Sequence, residues 1–193
     1  MIDLTSLYFE NLCLSGGAKG ADLQWGMCAG SAGHSVIHWS FAGHRSQAPH
    51  AEIVELNEEQ LQVADPFLEV ANKTLMRRIP ENPFSRNLLR RNYYQVAWSQ
   101  SLYAVSTISS KTNKVEGGTA WAVQMFIDRG QELPCYVFDQ ASENWKSWDY
   151  ATLSWVFADP SKPSGLWAGV GSRELTLAGK TAIRNLMGYI TAN

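Results

Sequence analysis

Three short runs of glycine and other small residues set the chemistry this chain could carry: SGGAKGAD (Ser15 to Asp22), EGGTA (Glu116 to Ala120) and GVGSRE (Gly169 to Glu174). Each follows an apolar run that reads as a strand and leads into a run that reads as a helix. Such a turn can hold an anion. The first amides of a helix have no intrahelical partner, and glycine places no side chain between them and a phosphate oxygen. The candidate ligand-binding residues are therefore Ser15, Gly16, Gly17, Ala18 and Gly20 in the first turn, and Gly117, Gly118 and Thr119 in the second. Gly171, Ser172 and Arg173 complete the set in the third, where a guanidinium at a strand end can fork onto phosphate oxygens. Asp22 reads as a cap of the helix after Gly20, with a ribose hydroxyl or a backbone amide as its second option. One glycine turn is as often backbone geometry as a ligand cradle, but three on one edge favour an anion site.

Two nucleotide chemistries lose support at once. No GKS or GKT follows the glycines, so none of the turns is a Walker loop, and Lys19 lies inside its turn rather than after it. Nor does any GxGxxG precede an acidic residue by about twenty positions, as a nicotinamide site would require. The remaining chemistry-bearing residues do not form a metal centre. Cys13, Cys28 and Cys135 are far apart in apolar surroundings and read as buried free thiols of a reducing compartment. His34, His38, His44 and His50 fall close together but span a strand and a loop, not one helix face.

The elements that must position these turns alternate between strand and helix. Tyr8 to Leu14, Ser35 to Trp39, Ser101 to Thr107, Pro134 to Phe138 and LWAGVG read as strands, while Ala21 to Ser31, Arg86 to Trp98 and Ala120 to Arg129 read as helices. A long helical stretch with caps and breaks is expected from Asn57 to Arg78, ended by Pro80 and Pro83, and a last helix places Ile183, Leu186, Met187 and Ile190 on one face. NWKSWDYATLSWVF reads as a hairpin, within about 143–157. This order implies a mostly parallel sheet covered on both faces, in one domain spanning 1–193. With 45% apolar and 18% charged residues the chain is expected to fold, and its net charge of −2 gives no overall pull toward nucleic acid, leaving only a local basic patch open. The segment MIDLTSLYFE lacks the pattern of a leader and no run is long enough to span a bilayer, so no membrane partner and a cytoplasmic location are expected.

SGGAKGAD, RNLLRRNYYQVAW followed by SLYAVST, VEGGTAWAVQMFIDRG and PCYVFD together resemble the SLOG superfamily of Rossmann-like nucleotide-binding domains. That superfamily includes the DNA-processing protein A family, cytokinin-releasing phosphoribohydrolases, molybdenum cofactor carriers and YpsA-like proteins. The resemblance implies a three-layer α/β fold and a bound nucleotide or nucleotide-derived phosphate as ligand. In many relatives a GSR-type turn opens the domain, whereas AGVGSRELTLAGKTAIRNLM comes last here. The resemblance thus implies a circularly permuted member, with the first strand and helix at about 166–190 and the Trp-rich hairpin as an insertion. It also adds Arg91 and Asn92 to the ligand contacts, because the RN element of relatives lies near the glycine edge.

The phosphoribohydrolase branch carries GGxGTxxE, and here the motif is shortened, with Ala122 where the spacing requires glutamate. Glu116 and Arg91 are then the candidate catalytic residues for N-glycosidic hydrolysis, the alternative to plain binding. DNA binding in recombination and carriage of the molybdenum cofactor are the remaining alternatives. Tyr93, Tyr94 and Trp98 read as core or subunit-interface residues, and Trp121 as either a base-stacking platform or packing on the sheet. A homo-oligomer is the expected assembly, with the Trp-rich hairpin as its expected surface.

Overall fold

A computed structural model describes residues 9–189. Its centre is one eight-stranded sheet in the order β3-β2-β1-β8-β4-β5-β6-β7. The strands are β1 (Asn11–Ser15), β2 (Ser35–Phe41), β3 (Ile53–Leu56), β4 (Ser101–Ser106), β5 (Cys135–Asp139), β6 (Asn144–Asp149), β7 (Ser154–Phe157) and β8 (Gly165–Gly171). The first six in spatial order run parallel, and the β6–β7 hairpin continues the sheet antiparallel beyond β5. The last strand, β8, lies between β1 and β4 at the middle of the sheet, with Cys13 opposite Trp167 on one side and Ala104 opposite Val170 on the other.

The two-residue side-chain period of a strand divides the core between the faces. On β4, Tyr103 and Val105 join Trp167, Trp25 of α1 (Ala21–Ser31) and Ile183 of α6 (Leu177–Leu186). Leu102 and Ala104 point the other way, toward α3 (Asp65–Leu75), α4 (Pro83–Val96) and α5 (Thr119–Ile127). Helices therefore cover both faces, as the alternating sequence pattern requires. At the β1–β3 end, Trp39, Leu14 and Leu56 form a further cluster with Tyr94 of α4, and Trp98 packs against it, so these aromatics are packing residues. Among the described residues no helix is long and apolar enough to cross a membrane.

The helical stretch expected with caps and breaks from Asn57 to Arg78 is α2 (Glu58–Gln62), capped by Asn57, and α3, broken where Pro66 in the first turn of α3 has no N–H with which to continue the ladder from Gln62. The helix ends at Leu75, where Met76 takes the left-handed conformation and bonds back to Asn72. The segment IVEL, to which the sequence pattern assigns no element, is β3 and pairs with β2, Val54 opposite Trp39. Ile190, expected on the face of the last helix, and Tyr8, expected in the first strand, lie outside the described residues. The hairpin is present, and its turn falls at Tyr150 to Leu153.

Candidate functional site

A cavity of about 860 Å³ opens at the carboxyl edge of the parallel strands, where β1, β8 and β4 end. Ala18, Asp22, Arg91, Asn92, Glu116, Gly117, Gly118, Thr119, Gly171, Ser172 and Arg173 all line it. Ser15, Gly16, Gly17 and Gly20 do not, and each is occupied by the protein itself. The Ser15 hydroxyl is fully buried against the Asp22 and Gly169 carbonyls, at 3.0 and 2.6 Å. Gly17 has φ +61 and is covered by the loop after β2, with the Gln47 amide 2.9 Å from its carbonyl. Gly20 has φ +105, and a Cβ there would come within 2.5 Å of the Ser172 and Arg173 carbonyl oxygens.

Gly16 shows what the first turn is built to admit. A Cβ at this position would sit 1.2 Å from Arg91 Nη1 and 2.3 Å from Asp22 Oδ2. The missing side chain makes room for a guanidinium rather than a phosphate. Arg91 and Asp22 form a buried ion pair at 3.0 Å, with Gln95 Nε2 donating to the same carboxylate oxygen at 3.3 Å and the Gly171 amide donating to the other at 2.9 Å. Asp22 is therefore not a helix cap. Gly20 is the N-cap without a side-chain bond, and Asp22 ties the first turn to the third and both to α4. Burial pushes its carboxyl above the ordinary value, opposed by the charge of Arg91 and by the hydrogen bonds it accepts. Among the described residues, the buried Arg91 Nε has no hydrogen-bond partner. Arg90 is also buried and pairs with Asp65 and Glu58. Its geometry to Asp65 is bidentate, a fork that tolerates burial better than a point charge.

The second turn differs from the first. A Cβ added at Gly117 or Gly118 would meet nothing within 4 Å, and Gly117 has φ +64. Arg77 holds this turn by donating to the Gly117 and Val115 carbonyls, both at 2.9 Å, and Asn92 donates to the Gly118 carbonyl at 3.1 Å. In a trans peptide the carbonyl and the following N–H point opposite ways, so the Gly118 and Thr119 amides are turned away from these donors. At the start of α5 they have no intrahelical acceptor and carry the positive end of the helix dipole.

The third turn is braced by Gln140, directly after β5. Its amide nitrogen donates to Ser172 Oγ and the Glu174 carbonyl at 3.2 and 3.0 Å, and its oxygen accepts the Thr176 amide at 2.8 Å. Arg173 is exposed at the cavity wall. Arg77 and Arg173 form no ion pair among the described residues, whereas Arg91 is neutralised by Asp22 and Arg78 by Glu81.

Two histidines are held neutral, chiefly by burial. His44 stacks on Phe41, shares a 3.0 Å hydrogen bond with Ser40, and has its pKa lowered to about 4 by burial and by the charges of Arg91 and Arg173. His38 is fully buried, with its pKa lowered to about 4 by burial and then by Arg91. Held neutral, it makes a polar contact rather than an ion pair with Glu52 at 3.6 Å. Among the described residues no group of His, Cys, Asp and Glu is placed to hold a metal ion.

Trp121 is buried in the core cluster and presents little of its ring to the cavity, which favours packing over base stacking. Sequence reasoning missed Arg77, Gln95 and Gln140. Gln140 could have been found from its place one residue past a parallel strand, whereas Arg77 follows a helix end and carries no local signal. Comparison of the chain with models of protein families, with curated proteins and with solved structures found no match.

Proposed function

We propose that this cavity binds a nucleotide or nucleotide-derived phosphate ligand through its anionic group. The observation that carries the reading is one cavity lined by Gly118 and Thr119 at the start of α5 and by Arg77 and Arg173, two arginines without a carboxylate partner among the described residues. A phosphate there would receive backbone hydrogen bonds and a counter-charge together, which offsets the desolvation of a buried anion. The seat is at the second and third turns, because the protein's own Arg91 fills the first.

The strand order supports the permuted SLOG-like reading. With β8 and α6 taken as the opening unit and the four-residue edge strand β3 set aside as an addition, β8, β1, β2, β4 and β5 stand in the order 3-2-1-4-5 of a Rossmann-like sheet, with α6 and α1 on one face and α4 and α5 on the other. In that frame β6 and β7 are the inserted hairpin. A hydrolytic role has one supporting observation, Glu116 on the cavity wall, but Ala122 also lines the wall where the hydrolase pattern has its glutamate. The homo-oligomer stays a proposal as well, its surface being the edge strand β7 with Phe157 exposed, and light scattering on the purified protein tests it.

Isothermal titration of the protein with nucleoside monophosphates and inorganic phosphate, at low and high salt, tests the binding reading. Saturable binding that weakens with salt is expected. Absence of heat and of any thermal shift at millimolar ligand would overturn it.

A further inference from the structure

We infer that two copies of the chain join through the free edge of β7, strand against antiparallel strand, with Val156 on a twofold axis, so that the two sheets run on as one. This rests on the homo-oligomer reading and adds to it the register and symmetry of the pair.

The backbone of the hairpin decides which groups are free. β7 pairs with β6 in the register Trp148 opposite Trp155, Ser147 opposite Val156 and Lys146 opposite Phe157, and the Ala158 amide donates to the Trp145 carbonyl at 3.1 Å. Hydrogen-bonded positions alternate along an antiparallel ladder, so Ser154, Val156 and Ala158 turn their backbone groups toward β6. The N–H and C=O of Trp155 and Phe157 therefore face the open edge of the sheet, and among the described residues they form no backbone hydrogen bond there. A second β7 laid antiparallel about Val156 sets Trp155 opposite Phe157 of the second copy, and Phe157 opposite its Trp155. Every outward N–H and C=O of both strands then finds a partner. Moving the axis by one residue would instead pair Phe157 with Leu153, whose φ of 51 breaks the extended chain, or Trp155 with Asp159, next to Pro160.

The side chains agree with the same register. Trp155 is half-buried against Trp148, whereas Phe157 is 77% exposed and Val156 41%. The pairing covers Phe157 with a tryptophan across the interface and meets Val156 with Val156 on the other face, both favourable cross-strand contacts. No residue from Thr152 to Ala158 is charged, so the two strands bring no like charges together. The opposite edge of the sheet differs. β3 is as short as β7 but carries the exposed Glu55, and a charge on an edge opposes self-pairing. Pairing of β7 with β7 is thus isologous and stops at two copies. A strand from an unrelated protein would satisfy the backbone as well, but the chain's own strand also supplies the aromatic and apolar partners. The contact is smaller than that of a permanent dimer, so association is reversible. With β5 and β6 between β7 and β4, the cavity of each copy stays open.

Sedimentation velocity of the full chain over a range of concentrations, beside thermal melts, tests the pairing. The parent is expected to pass from one chain mass to two as concentration rises. Val156→Lys should raise the dimer dissociation constant by about tenfold or more with an unchanged melting temperature, because two ammonium groups would meet near the axis. Val156→Cys should form an interchain disulfide under mild oxidation, since directly opposed residues of an antiparallel pair stand about 4.5 to 5.5 Å apart, within disulfide reach. Ser154→Cys should not, because it would lie opposite Ala158 of the second copy, about 14 Å along the strand from its own counterpart. The native cysteines are buried and do not compete. Should Val156→Lys melt early, the two cysteine variants decide alone. A parent that stays monomeric throughout overturns both this inference and the homo-oligomer reading. A dimer that Val156→Lys leaves intact, or whose Val156→Cys variant cross-links no better than Ser154→Cys, overturns the β7 pairing while the homo-oligomer reading stands.

Discussion

Replacing Asp22 with Asn removes the carboxylate that pairs with Arg91 while keeping the side-chain shape. At 3.0 Å the pair attracts by about 5 kcal/mol at an effective dielectric near 20. The asparagine oxygen can still accept the Gly171 amide, but its NH2 then confronts Arg91 Nη1 and Gln95 Nε2, two donors that lose their acceptor. Arg91 is left as a buried, uncompensated charge, and Asp22→Asn should cost about 3 to 5 kcal/mol of folding stability. Arg91→Met should cost a similar amount, because it strands the carboxylate instead. The double variant, in which neither charge remains, should lose less than the sum of the two by about 2 kcal/mol or more. Urea unfolding at pH 7, followed by the fluorescence of the eight tryptophans, measures all four proteins. A loss below about 1 kcal/mol for Asp22→Asn, or strict additivity in the double variant, would refute the view that this pair ties the first and third turns to α4.

Other perturbations separate the turns and the pH response. Gly16→Ala drives a Cβ into Arg91 Nη1 and should cost about 3 kcal/mol or more, whereas Gly118→Ala meets open space and should change stability by less than about 0.5 kcal/mol; urea midpoints compare them. His38 has a folded pKa of about 4 against an ordinary 6.5, so its contribution is fully present above 6.5 and is lost as pH falls through that window, by up to about 3 kcal/mol. His38→Leu should flatten the fall in stability between pH 7 and pH 4.5, and an unchanged slope would remove His38 as its source. Arg173→Ala should weaken phosphate-ligand binding by roughly 10- to 100-fold with an unchanged melting temperature, and Arg173→Lys should recover part of the loss, since an ammonium keeps the charge but not the fork. Titration calorimetry beside thermal melts reads both.

The layered fold was legible because its signals are local. The helix from Ala21 to Ser31 begins and ends where the small-residue turn and the apolar spacing place it, and the strands around SLYAVS and CYVFD are short apolar runs bounded by turns. The strand IVEL was not legible. Four residues with Glu55 among them carry little pattern, and only pairing with β2 makes them a strand. Within the site, the meeting of the GGT and GSR turns followed from strands ending on one edge. The role of Gly16 did not, since its neighbour Arg91 is 75 positions away in sequence and only the fold brings them together. The same holds for Arg77, which reaches Gly117 across forty positions.

The central claim is that an anionic ligand sits on the second and third glycine turns and not on the first. A nitrogen-15 correlation spectrum of the protein, titrated with a nucleoside monophosphate, addresses each turn separately through its own glycine amides. The account predicts saturable shifts at Gly117, Gly118, Thr119 and Ser172, with Gly17 and Gly20 moving little. Shifts centred on Gly16 and Gly17, or confined to a second groove lined by Trp145 of β6 and Leu177 of α6, would contradict it.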